Sequence, residues 1–190
     1  MFFAYILAGV LVFWLIAKYM NKQRNHEKAV EKVSGRLKKI CGKPGQVLKN
    51  ATLNLPEGKM TFDAILMDKR GVYLVRTYGW GIKIYGTPDG AMWRREDAKR
   101  KEEFENPLLE LKKGAEEITK VMEENGVQNL KVMPMVVFAD NFQTPELYLG
   151  YGSFSTTYQE LKNWYKKQSG VKEVQYDYDK VSSIIKRLAK

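Results

Sequence analysis

Met60-Thr61-Phe62-Asp63-Ala64-Ile65-Leu66-Met67-Asp68, the tight turn Lys69-Arg70-Gly71 and Val72-Tyr73-Leu74-Val75-Arg76-Thr77-Tyr78 read together as two strands of one hairpin. Aliphatic and aromatic residues fill both runs, and the glycine closes the turn between them. Asp63 interrupts an otherwise apolar strand, and a buried carboxylate needs a partner. Arg76 and Tyr78 lie two residues apart, so both project from one face of the second strand. The second strand then runs out into Gly79-Trp80.

Working outward, Val30, Val33, Leu37 and Ile40 form one apolar stripe at helical period, with lysines opposite. This predicts a helix from about Asn25 to Cys41, ended by Gly42, Pro44 and Gly45. A meander follows: Gln46–Leu55, the turn Pro56-Glu57-Gly58, the central hairpin, Ile82–Tyr85, the turn Thr87–Gly90, and Ala91–Arg94. Asn106 caps a second helix whose first residue is Pro107, and Asn125-Gly126 stops it. Leu108, Leu111, Ala115, Ile118 and Met122 form its buried face. Val132–Phe138 reads as an inner strand, and 161–164 and 181–188 as two C-terminal helices. The order is that of an α/β fold with a central mixed sheet.

The N-terminus is a separate matter. Phe2 to Ala17 holds no charged residue, and the apolar run reaches Met20. About 20 helical residues rise roughly 30 Å, the thickness of a bilayer core. The expectation is one N-terminal transmembrane helix over 1–20, a basic juxtamembrane linker over 21–25, and a domain over 26–190. That domain divides into a core, 26–140, and a C-terminal helical part, 141–190. A cleaved signal peptide is the alternative, but no positive segment precedes the run and no small-residue cleavage site follows it. Lys18, Lys22, Arg24 and Lys28 all follow the run, which puts the N-terminus outside and the domain in the cytoplasm of a prokaryotic-type cell.

Charge distribution tempers a nucleic-acid reading. Of the formal net charge of +10, residues 18–49 carry +8, from ten Lys/Arg against Glu27 and Glu31. The remainder is nearly neutral, so the excess is explained by anionic lipid beside a membrane. A single cysteine, Cys41, excludes an internal disulfide, and with one histidine in the chain it makes no Cys-based zinc site. Cys41 reads as a small core residue and His26 as a solvated one.

The hairpin resembles that of the nuclease-related domain (NERD), a branch of the PD-(D/E)XK restriction-endonuclease-like families. Further matching features, over roughly 26–140, are His26-Glu27-Lys28-Ala29-Val30, Val47-Leu48-Lys49-Asn50, Gly81-Ile82-Lys83-Ile84-Tyr85-Gly86, Trp93, Phe104-Glu105-Asn106-Pro107 and Val136-Val137-Phe138. The resemblance implies an αβββαβ core. It also implies a centre in which a first-strand Asp and the Glu of a second-strand Glu-x-Lys hold Mg²⁺ against a scissile phosphate, while the Lys orients or activates the attacking water. Asp63 matches the Asp, but Arg76 and Tyr78 stand at the Glu and Lys positions, His26 replaces a glycine before Glu27, and Glu110 falls where the family has a glutamine.

A guanidinium repels a divalent cation and cannot lose its proton. The expectation is therefore a degenerate site at Glu27, Asp63, Arg76, Tyr78 and Glu110, with no intact catalytic set, no metal and no cofactor. Asp63 and Arg76 then form a structural ion pair. Alternatively Glu27, Asp63 and Glu110 rebuild an Mg²⁺ site, Asp63 being the one ligand expected of any metal. Tyr78 through Tyr85 interleaves aromatics with a base, as stacking platforms for single strands do, which nominates Arg76, Trp80 and Lys83 as nucleic-acid contacts. Ordinary strand packing is the competing account of those aromatics. Three functions follow: a non-catalytic binding or scaffold module with a protein or nucleic-acid partner, a nucleic-acid binder without turnover, and a divergent Mg²⁺-dependent nuclease. No small-molecule substrate is evident.

Overall fold

The central hairpin forms as β2 (Gly58–Asp68) and β3 (Gly71–Tyr78), with β1 (Gln46–Leu55) antiparallel on the outer side of β2. Gly71 sits at φ 140°, and a Cβ there would lie 2.2 Å from the Lys131 carbonyl oxygen, so only glycine fits this turn. The computed structural model describes residues 2–23, 25–79, 81–140, 143–167 and 176–189, with side chains inside the first helix described over 5–17. Trp80 and Arg24 therefore lie outside the described residues.

Two mixed sheets replace the expected single one. The first runs β1-β2-β3-β7-β9, with β7 (Val132–Phe138) parallel to β3 and β9 (Ser155–Thr157) parallel to β7. The second comprises β4 (Lys83–Gly86), β5 (Met92–Glu96), β6 (Lys101–Glu105) and β8 (Glu146–Leu149), in the order β6-β5-β4-β8. The pattern reading missed β6, β8 and β9. β6 is Lys-Glu-Glu-Phe-Glu, an edge strand without apolar alternation, held across the sheet by Arg95–Glu102 at 2.9 Å and Lys101–Glu96 at 3.8 Å. β8 and β9 are four and three residues long, too short to show a period. Both lie in the stretch expected to be helical.

Helices cover both faces of the first sheet. α2 (His26–Cys41) and α4 (Leu161–Lys167) pack on one face through Ala29, Val33, Leu37, Leu161 and Tyr165. α3 (Pro107–Glu124) and α5 (Tyr178–Leu188) pack on the other, where Leu108, Leu111, Ile118, Val181 and Ile185 meet Phe62, Ile65 and Leu74. Each such fully buried aliphatic side chain stabilises by about 1.5–3 kcal/mol. Asn25 caps α2 by accepting from the Glu27 backbone N–H at 2.9 Å. Asn106 caps α3, accepting from Leu108 N–H at 3.0 Å, while its amide donates to the carbonyls of Pro88 and Gly90 at 3.2 and 2.8 Å. That one side chain ties α3 to the β4–β5 turn and so fixes the second sheet against the first. Cys41 is half-buried, not fully in the core; burial and the nearby Asp68 raise its thiol pKa.

α1 (Phe2–Gln23) is helical past the boundary expected at residue 20. Among the described residues, however, no helix is long and apolar enough to cross a membrane. The expected transmembrane helix is thereby overturned. What α1 does present is exposed apolar surface, with Tyr5 at 75 % and Phe13 at 73 %.

Candidate functional site

The site begins with an irregularity shared by β1 and β2. Their register is constant, yet it passes from Lys49↔Ala64 to Ala51↔Phe62 without an Asn50↔Asp63 pair. Asn50 there has φ 49°. On one side of this break Leu48, Ile65 and Met67 face the α3 core, and on the other Ala51, Leu53 and Phe62 do. Odd and even positions thus exchange faces in both strands at the same level, as a paired bulge would require.

Beyond this point β2 and β3 part. Their pairing ends at Ala64↔Val75, while β3 continues along β7 to Tyr78↔Phe138. The end of β3 would be left with an unpaired N–H, and Asp63 supplies the acceptor: its Oδ2 takes the Thr77 backbone N–H at 2.6 Å. Asp63 is 4 % exposed, so this bond replaces a sheet ladder bond inside the protein.

Arg76 fills the remaining gap. Its Nη2 donates to Glu110 Oε2 at 2.7 Å and to the Thr61 carbonyl at 3.1 Å, and its Nη1 lies 3.7 Å from Asp63 Oδ1. The expected Asp63–Arg76 pair is therefore the longer of two, and Glu110 is the closer partner. His26, read from sequence as a solvated residue, has its Nε2 3.2 Å from Asp63 Oδ1 while staying 59 % exposed. Its place at the start of α2, against the middle of β2, was invisible in a sequence offering no Cys or second His partner. Glu27, one residue on, is exposed.

Tyr78 shares a cleft of about 390 Å³ with Arg76, Phe104, Asn106, Pro107 and Glu110. Its ring stacks on Phe138 at 5.5 Å and tilts against Phe104 at 4.9 Å. Burial pushes its phenol up to about 12, with the nearby Arg76 pulling only partly the other way. The hydroxyl stays neutral at ordinary pH and cannot supply a lysine's charge. Lys83 faces a different cleft, with Ile82, Glu96 and Asp97. The structure does not bring it to Arg76. Tyr85 stacks on Tyr148 at 4.9 Å and carries the Arg94 guanidinium 4.6 Å from its ring, which is strand packing.

The donors do not suit a divalent ion. Mg²⁺ needs carboxylate oxygens. Asp63 spends one oxygen on Thr77 and turns the other to His26 and Arg76, and Glu110 is held by Arg76. Among the described residues there is no group of three His, Cys, Asp or Glu side chains that could hold a metal ion.

The fold is mixed α/β, and a family model marks it as a nuclease-like module. The family model of the nuclease-related domain, NERD, matches residues 22–139, and the chain belongs to that family. Neither the curated proteins nor the solved structures gave a match.

Proposed function

We propose that this is a PD-(D/E)XK-like nuclease-related domain whose cutting centre has become an ion-paired arginine, and that it works as a binding or scaffold module for a protein or nucleic-acid partner. One observation carries this reading: Arg76 sits between Asp63 and Glu110 and neutralises the carboxylates a metal would need. The same pairing weighs against Arg76 as a docking point for phosphate, because its charge is already met twice. Incubating the full chain with single- and double-stranded DNA and RNA, in Mg²⁺ or Mn²⁺, tests it. Cleavage at the protein-free background is expected; cutting abolished by Asp63→Ala would overturn the proposal.

The second part of the proposal is attachment to the cytoplasmic face of a cell membrane through α1. The exposed apolar side chains from Tyr5 to Ile16 support it, since a helix apolar all round needs apolar cover. The basic stretch 18–49 supplies attraction to anionic lipid. Flotation of the full chain with lipid vesicles is the test, and failure to float with any of them would remove this part.

A further inference from the structure

A second cleft, of about 760 Å³, lies away from Arg76 between α2, α4 and the β2–β3 turn. Its walls carry Lys32, Arg36 and Lys39 from α2, Arg70 from the turn, and Lys162 and Lys166 from α4, with Glu31 the acid in the lining. The α2 cations recur at spacings of four and three and the α4 pair at four, so each set shares a helix face. The two faces meet across the groove.

Several basic side chains outside the groove are met by carboxylates: Arg95 by Glu102 at 2.9 Å, Lys113 by Glu57 at 3.0 Å, Lys112 by Asp89 at 3.4 Å. Arg36 and Arg70 are held differently. Arg36 donates to the Gln159 carbonyl at 3.4 Å and faces the Tyr158 ring at 4.6 Å. Arg70 donates to the Tyr165 carbonyl at 3.1 Å and faces that residue's ring at 4.1 Å. Carbonyls and rings orient a guanidinium without cancelling its charge. The neighbouring carboxylate, Asp68, is buried and accepts the Tyr165 hydroxyl and the Arg70 backbone N–H.

We infer that this groove receives the phosphate headgroups of anionic phospholipid. The inference rests on the membrane reading of α1 and names the site that reading lacks. Two observations favour a headgroup over a nucleic-acid strand. Base stacking needs an open ring face, and here Lys32 and Arg36 lie over Tyr158 at 4.8 and 4.6 Å, and Arg70 over Tyr165. The groove also belongs to the helix that begins three residues after α1, so apolar and electrostatic attachment act on one short segment. Two such signals together are what stable surface binding requires.

The experiment is flotation of the full chain with phosphatidylcholine vesicles and with vesicles containing phosphatidylglycerol. Tighter binding to the anionic vesicles is expected. The exposed pair Lys39→Gln with Lys162→Gln should cut that preference about 25-fold, roughly fivefold for each cation lost, with the melting temperature unchanged. Arg36→Gln with Arg70→Gln should cut the preference by a similar factor, and added salt should erase the difference. Equal binding of the native chain to both vesicle types would leave membrane attachment standing and overturn the groove. An unchanged preference in both double variants would do likewise. Displacement from vesicles by inorganic phosphate at matched ionic strength, or tighter binding of a single-stranded oligonucleotide lost in the same variants, would assign the groove to another ligand and also overturn it. Failure to float with any vesicle removes the membrane reading itself.

Discussion

Asp63 accepts the backbone N–H of Thr77 at 2.6 Å, a side chain standing in for a strand where β2 turns away from β3. The acid is therefore part of the sheet's hydrogen-bonding as well as of the site. Asp63→Ala leaves a buried N–H unmet and Arg76 short of one carboxylate, at a cost of about 3 kcal/mol. Asp63→Asn keeps an oxygen for Thr77 and should cost about 1 kcal/mol. Urea unfolding of the two variants separates the contributions, and equal losses would show that the backbone bond is immaterial.

Arg76→Glu places a third carboxylate beside Asp63 and Glu110. Without divalent ions the variant should melt about 4–8 °C below the native chain, reflecting roughly 2 kcal/mol of repulsion and lost pairing. Mn²⁺ or Mg²⁺ should restore much of that loss by binding the folded state, while leaving the native chain's melting temperature unmoved. Adding Tyr78→Lys tests whether cutting returns with the metal. Thermal scans with and without the ion decide the first part, and a nuclease assay the second.

Asn106 serves α3 and the β4–β5 turn together. Asn106→Ala removes a helix cap worth about 1 kcal/mol and unpairs two turn carbonyls. A loss of about 2–3 kcal/mol is expected. Asn106→Asp keeps the cap acceptor but loses the amide donors, so it should fall between. Hydrogen exchange should show the 83–96 hairpin loosening before the core does.

Alkaline pH should unfold the protein through its buried phenols. The Tyr78 phenol is pushed up to about 12 from an ordinary value near 10, chiefly by burial. Burial also raises Tyr73, Tyr165 and Tyr176. The unfolded chain gives up these protons first. Stability from Tyr78 is thus complete below about pH 10 and is lost as pH climbs to about 12, by about 2–3 kcal/mol. Phenolate absorbance should rise in two steps, exposed tyrosines first and the buried set together with loss of the fold. A single smooth titration would contradict this.

Much of the fold lay in the order of residues. Val132–Phe138 is the strand its apolar run predicts, and Asn106-Pro107 opens α3 where cap chemistry requires. Such features are local: a period or a cap needs only neighbours within a turn or two. The charged strand β6 was not legible, because its stability comes from cross-strand partners such as Arg95 rather than from its own pattern. The apolar N-terminal run was legible as a helix, but its length in sequence did not become a membrane span among the described residues.

For the site, sequence alone determined that a cation, Arg76, stands where the resemblance asks for an anion. Residue identity suffices for that, since no fold changes the sign of a guanidinium. Only the tertiary structure decided what that cation does. It set Glu110 closer to Arg76 than Asp63, brought His26 to Asp63, and turned Asp63 onto Thr77 at a break shared by two strands. Those partners lie up to 37 residues apart in the chain, and distance across a fold is set by packing, which no single segment encodes.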